Sequence, residues 1–167
     1  IFGTRGVERL PVQDRSATHA LSVRRSSPDW SAGAVWNFPS GQRGTLRLRL
    51  MIQNGFRGNV LALTDHYSVP FDEEDTLHSV FNLPIGEGGM LLKERLMPGQ
   101  WYDIVLSWDT GQGVCSVSID GKTAGVVKAQ RSSPGIHYLR FRSAAEVSEG
   151  GLLLESADVR VSDGVRK

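Results

Sequence analysis

Strict apolar–polar alternation across residues 100–122 confines this chain to an antiparallel β architecture. Tyr102, Ile104, Leu106 and Trp108 share one face of a period-two run, and Asp103 and Ser107 share the other. After Thr110-Gly111-Gln112-Gly113, Cys115, Val117 and Ile119 alternate with Ser116 and Ser118. Asp120-Gly121 then precedes another apolar run. Asp-Gly is a preferred two-residue hairpin turn, because both positions need positive φ. The segment therefore reads as three consecutive antiparallel strands, with Trp108 and Ile119 in the core and Asp109 starting the glycine turn.

The pattern recurs along the chain. Residues 45–53 place Leu46, Leu48, Leu50 and Ile52 inward and Arg47 and Arg49 outward. Further strands read over 19–24, 33–38, 59–64, 78–85, 90–95, 123–129, 136–142 and 152–161, separated by frequent turn signals. The last is expected to return and pair with an early strand. This spacing predicts an all-β fold, a two-sheet antiparallel β-sandwich of the jelly-roll kind, with little or no helix. The best short helical candidates are 18–21 and 143–147. A length of 167 residues and 40% apolar content fit one domain over 1–167, with 1–17 reading as an irregular N-terminal segment.

Trp101, the alternating strand, Trp108-Asp109, the glycine turn and Ile119-Asp120-Gly121-Lys122 resemble the laminin-G-like branch of the concanavalin-A-like lectin/glucanase superfamily. The runs 138–143 and 151–156 also resemble the lectin-like sandwiches appended to bacterial sialidases and related glycosidases. The resemblance implies a non-catalytic carbohydrate-binding or adhesion module of a larger extracellular protein. Its partners would be an oligo- or polysaccharide and a covalently linked catalytic domain. Two alternatives stand beside it: a glycoside hydrolase or polysaccharide lyase of the sandwich glucanase type, and a structural domain packing on a catalytic neighbour. Such sandwiches serve several functions, so the fold alone does not choose.

Composition narrows the field. Nineteen Lys and Arg against eighteen Asp and Glu give a net charge of +1, without the basic balance expected of a nucleic-acid binder. No run approaches the ~20 apolar residues of a membrane span, so membrane insertion is not expected. The one cysteine, Cys115, alternates with Val117 and Ile119 and reads as a small buried apolar residue. The opening Ile-Phe-Gly-Thr carries no signal-peptide pattern and reads as a processed or excised chain, from a secreted, extracellular or periplasmic protein.

Candidate functional residues concentrate in loops. Residues 65–78 hold five carboxylates, two histidines and two aromatics. Asp65, Asp72, Glu73 and Asp75 are candidate calcium ligands, because calcium takes six to eight hard oxygens; otherwise no cofactor is expected. Zinc through His66 and His78 lacks further ligands at a suitable spacing. Glu73-Glu74-Asp75-Thr76-Leu77-His78 matches the first Glu and the Asp of the glucanase catalytic strand, making Glu73 and Asp75 the catalytic alternative. His78 stands where the second Glu belongs, and without that carboxylate the retaining pair is incomplete. No catalytic residue is therefore assigned.

For sugar binding, an aromatic ring stacks on a pyranose while polar neighbours fix its hydroxyls. Trp30, Phe56, Tyr67 and Phe71 are loop aromatics suited to that role, with edge anchoring as the ordinary alternative. In 135–142, Tyr138 and Arg140 share the face opposite Leu139 and Phe141, where they would grip an acidic or sulfated saccharide. Trp36 alternates with apolar neighbours and reads as core, and His19 and His137 as ordinary sheet residues.

Overall fold

The alternating runs assemble into two stacked sheets. The computed structural model describes residues 2–3, 5–69 and 74–162. Its strands are β1 (Phe2–Gly3), β2 (Val7–Asp14), β3 (Ala17–Val23), β4 (Gly33–Gly41), β5 (Arg43–Ile52), β6 (Asn59–Thr64) and β7 (Phe81–Ile85). They continue with β8 (Met90–Leu91), β9 (Glu94–Arg95), β10 (Trp101–Asp109), β11 (Val114–Ile119), β12 (Lys122–Lys128), β13 (Ile136–Ser143) and β14 (Leu152–Ser162). The first sheet runs β1-β4-β13-β6-β7-β8-β9 and the second β12-β11-β10-β5-β14-β3-β2, all antiparallel neighbours.

The core is the ladder the sequence announces. Tyr102, Ile104 and Leu106 stand opposite Leu50, Leu48 and Leu46 across β10 and β5, and Leu106 and Trp108 stand opposite Val117 and Cys115 across β11. All of them lie in one buried cluster with Leu61, Leu63, Phe81 and Leu83 of the first sheet. Asp120 and Gly121 take φ of 49° and 80°, the left-handed pair that an Asp-Gly hairpin turn requires. Asp109 caps its own turn, where its Oδ1 accepts from the Gln112 amide at 2.9 Å. Cys115 is fully buried, and that burial pushes its thiol up to about 12, so it stays neutral.

Trp108 needs one small neighbour. It pairs with Gly44, and a Cβ built there would lie 2.2 Å from the indole Cζ2. The indole N–H donates to the Gly41 carbonyl at 3.1 Å, so the ring is fixed from two sides.

Several expectations change. Residues 7–14 form a strand rather than an irregular lead, paired with β3 with one register shift between Pro11 and Asp14, and tied down where Arg49 donates to Asp14 at 2.8 Å. Leu92 at φ 54° breaks the expected 90–95 strand into two short arms. Neither helical candidate forms; the described helical turn is 3-10, over Glu74–Leu77. The final strand does return, pairing with both β3 and β5.

The sandwich also opens at one side. Along the inward face of β3, Val23 is buried, Leu21 half-buried and His19 exposed. On the paired strand β2, Arg9 stands opposite Leu21 and is exposed as well. Replacing Gly44 with alanine is expected to destabilise the fold by about 1–3 kcal/mol through overpacking against Trp108. Urea denaturation reads the change directly, and an unaltered midpoint would refute the contact's importance.

Candidate functional site

The described residues of the β6–β7 connection, Ser68 and Asp75 among them, lie over the outer face of the first sheet. On β13, Leu139 and Phe141 point into the core, so Tyr138, Arg140 and Arg142 point to this outer face. Arg140 is 0% exposed there, the largest of the fully buried side chains. It donates to Ser68 Oγ at 2.7 Å and forms an ion pair with Asp75. The expected solvent-facing arginine is thus corrected: Arg140 is the post to which the loop is tied. Its spacing on β13 gave the correct face, but the loop that covers that face arrives from elsewhere in the chain.

A polar network extends from this pair. Asp75 Oδ1 accepts from His66 Nε2 at 2.8 Å, and His66 Nδ1 lies 3.0 Å from Thr64 Oγ1. Asp65 accepts from Arg131 Nη1 at 2.8 Å, and Arg131 Nε donates to the His78 carbonyl at 2.7 Å. The Asp65 carbonyl accepts from His137 Nε2 at 2.6 Å. Gln130 and Asn82 donate to the Thr76 carbonyl at 3.0 and 2.8 Å, and Arg142 donates to Thr76 Oγ1 at 2.6 Å. Three strands and the 130–131 segment thereby hold one loop.

Electrostatics follow the geometry. The Arg131 guanidinium holds the Asp65 carboxyl well below the usual carboxylate range, against the opposing effect of burial, with His66 and Ser133 adding to it. Asp65 and Asp75 each face an arginine and His66, which leaves them a poor calcium pair. Among the described residues no group of three or more His, Cys, Asp and Glu converges as a metal site. Asp75 is also only 7% exposed, so it offers no open carboxylate for catalysis. Phe71, Asp72 and Glu73 lie outside the described residues.

The aromatics divide. Tyr67 is 49% exposed although both chain neighbours are anchored, His66 to Asp75 and Ser68 to Arg140. Its ring meets Tyr138 edge-on with centroids 6.3 Å apart, and Tyr138 meets His137 at 4.5 Å. Asn37, exposed on β4 opposite Tyr138, donates to the His137 carbonyl at 3.2 Å. Trp30 is 50% exposed in a turn organised by Arg25, which donates to the Ser27 and Pro28 carbonyls at 3.1 and 2.6 Å. Phe56 corrects the sequence reading: it is 6% exposed and belongs to the core, so it anchors its loop. Sequence reasoning missed Asn37, Arg25 and Arg131, which carry no local signature; only the fold brings them to their partners.

The arrangement is a rigid aromatic corner, Tyr67 and Tyr138, with an amide beside it and no described free carboxylate pair. No protein-family model matches the chain, and no curated protein matches it in sequence. Among solved structures it resembles a sialidase, with a TM-score of 0.70 at 13% identity over 94% of this chain. The chain spans only 17% of that sialidase's length. It also resembles a cellulose-induced protein (TM-score 0.63, 12% identity, 97% of this chain and 87% of the other). A lectin II from Ulex europaeus follows at 0.57 and 10% identity, covering 93% of this chain and 92% of the other. At such identities the likeness is one of fold: the chain has the concanavalin-A-like jelly-roll sandwich.

Two outcomes test the network. Asp75→Ala removes the carboxylate paired with the buried Arg140 guanidinium and is expected to cost about 3–5 kcal/mol in chemical denaturation. Asp65 has a depressed folded-state value, so its contribution is complete above an unfolded value of about 3.9 and is lost as pH falls below it. Asp65→Asn should therefore flatten the acid limb of the stability–pH curve between about pH 5 and pH 2. An unchanged limb would show that the Asp65–Arg131 pair does not set acid stability.

Proposed function

We propose that this chain is a non-catalytic carbohydrate-binding module of a larger extracellular protein, with its glycan on the outer face of the first sheet. The observation that carries the reading is the Tyr67–Tyr138 corner. A loop tyrosine stands half-exposed because its two neighbours are bonded to buried groups, and it meets a strand tyrosine at a fixed angle. Aromatic rings fixed in this way lose little side-chain entropy on stacking against a sugar ring, which favours binding. Asn37 beside Tyr138 supplies an amide donor and acceptor for hydroxyls. Lectins among the proteins of the same fold, and a sialidase of which this chain matches one part, support the reading.

The test is a glycan array followed by titration of the best binder, with and without calcium. Tyr138→Ala is expected to weaken binding roughly tenfold, about 1.4 kcal/mol, with an unchanged melting temperature. The described ligands predict that calcium leaves the affinity unaltered. Absence of binding to every glycan under both conditions would refute the proposal, and full affinity in Tyr138→Ala would move the site elsewhere.

A further inference from the structure

The open side of the sandwich holds a second place of interest. Between β4 of the first sheet and β2, β3 and β14 of the second lies a cleft of about 450 Å³. That volume is within the roughly 300–1,000 Å³ usual for small-molecule sites. Leu21, Trp36, Leu154 and Ala157 form its apolar walls, and Arg9, His19 and Glu155 stand around them.

Its aromatic wall is built rather than incidental. Trp36 is half-buried, not core, and its ring meets Phe38 edge-on at 5.4 Å. Phe38 in turn packs against Trp108 at 6.0 Å, so a file of three aromatics runs from the core to the cleft. The Trp36 indole N–H makes no hydrogen bond among the described residues. Arg9 touches only the His19 ring nitrogen, at 3.2 Å, and has no carboxylate partner among them. Glu155 is present because β14 carries a bulge between Leu154 and Ser156, which adds one unpaired residue at the wall.

We infer that this cleft is a second glycosyl-binding site, specific for a neutral hexose unit. The indole offers a surface for the apolar face of a pyranose. Arg9 and the indole N–H donate to ring and hydroxyl oxygens, while Glu155 accepts from a hydroxyl. A ligand that must both donate and accept, and whose body is apolar on one side, is a polyol ring. Arg9 and Glu155 carry opposed charges, so a charged ring that gains one of them meets repulsion from the other, which favours a neutral unit. Asn37, adjacent to Trp36 on β4, points to the opposite face, toward Tyr138, so the two sites lie on opposite faces of one strand.

The inference rests on the carbohydrate reading but is separable from it. The experiment titrates labelled protein with methyl β-D-glucopyranoside, methyl β-D-galactopyranoside, methyl α-D-mannopyranoside and methyl β-D-glucuronide. It follows the indole N–H resonance of Trp36, assigned with Trp36→Phe. Saturable movement of that resonance by a neutral glycoside, about tenfold weaker in both Arg9→Gln and the cleft-filling Ala157→Leu, is the expected result. Glu155→Gln should narrow the gap between the neutral glycosides and the glucuronide. Movement that survives in Tyr138→Ala upholds the cleft even if the outer-face site falls. A silent Trp36 resonance under all four glycosides overturns the cleft, and glycan binding lost in Tyr138→Ala would still leave the first site standing.

Discussion

The ion pair between Arg140 and Asp75 governs what this molecule can present. Arg140 sits in the middle of β13 with no exposure, and Asp75 comes to it on a helical turn from the β6–β7 connection. A guanidinium in such a place is tolerable only with a charged partner and further acceptors, because an unpaired buried charge is strongly destabilising. The pair therefore makes the loop obligatory. Once the loop is down, His66, Thr76 and Ser68 fall into bonding distance of the sheet, and Tyr67 is carried between them.

This reverses the sense in which the acidic loop first reads. Its carboxylates suggest a metal site or a hydrolase pair, both of which need open oxygens. In the fold, Asp65 and Asp75 are spent on Arg131 and Arg140. Those two carboxylates fix the position of the loop, and Tyr67 and Tyr138 stand at the surface beside Asn37.

The two proposed sites share an origin in strand alternation along β4. Trp36 and Phe38 face inward and Asn37 faces outward, so one strand serves the cleft on one side and the Tyr138 face on the other. The cleft lies between β4 of the first sheet and β2, β3 and β14 of the second. Deeper in the sandwich, inward residues such as Val23 and Leu152 are sealed; at the cleft the same faces carry His19 and Arg9.

Much of the architecture was legible in the chain alone. Period-two patterning located β5, β10 and β11 and their inward residues, and Asp120-Gly121 marked its turn, since these signals are local. The strand at 7–14 went unread because its inward positions change from apolar to polar as the sandwich opens, which erases the alternation. Trp36 reads as core because its neighbours are apolar, yet it is half-buried and lines the cleft. Arg140 was placed on the right face and given the wrong environment. The sequence by itself determined two sheets, their inward faces and the hairpin at their centre, because the side-chain period of a strand is written residue by residue. Only the tertiary structure decided which outer face is covered, which carboxylates are neutralised and where the sandwich gapes. Those depend on segments more than sixty residues apart meeting, as Asp75 does with Arg140, and no local pattern encodes that.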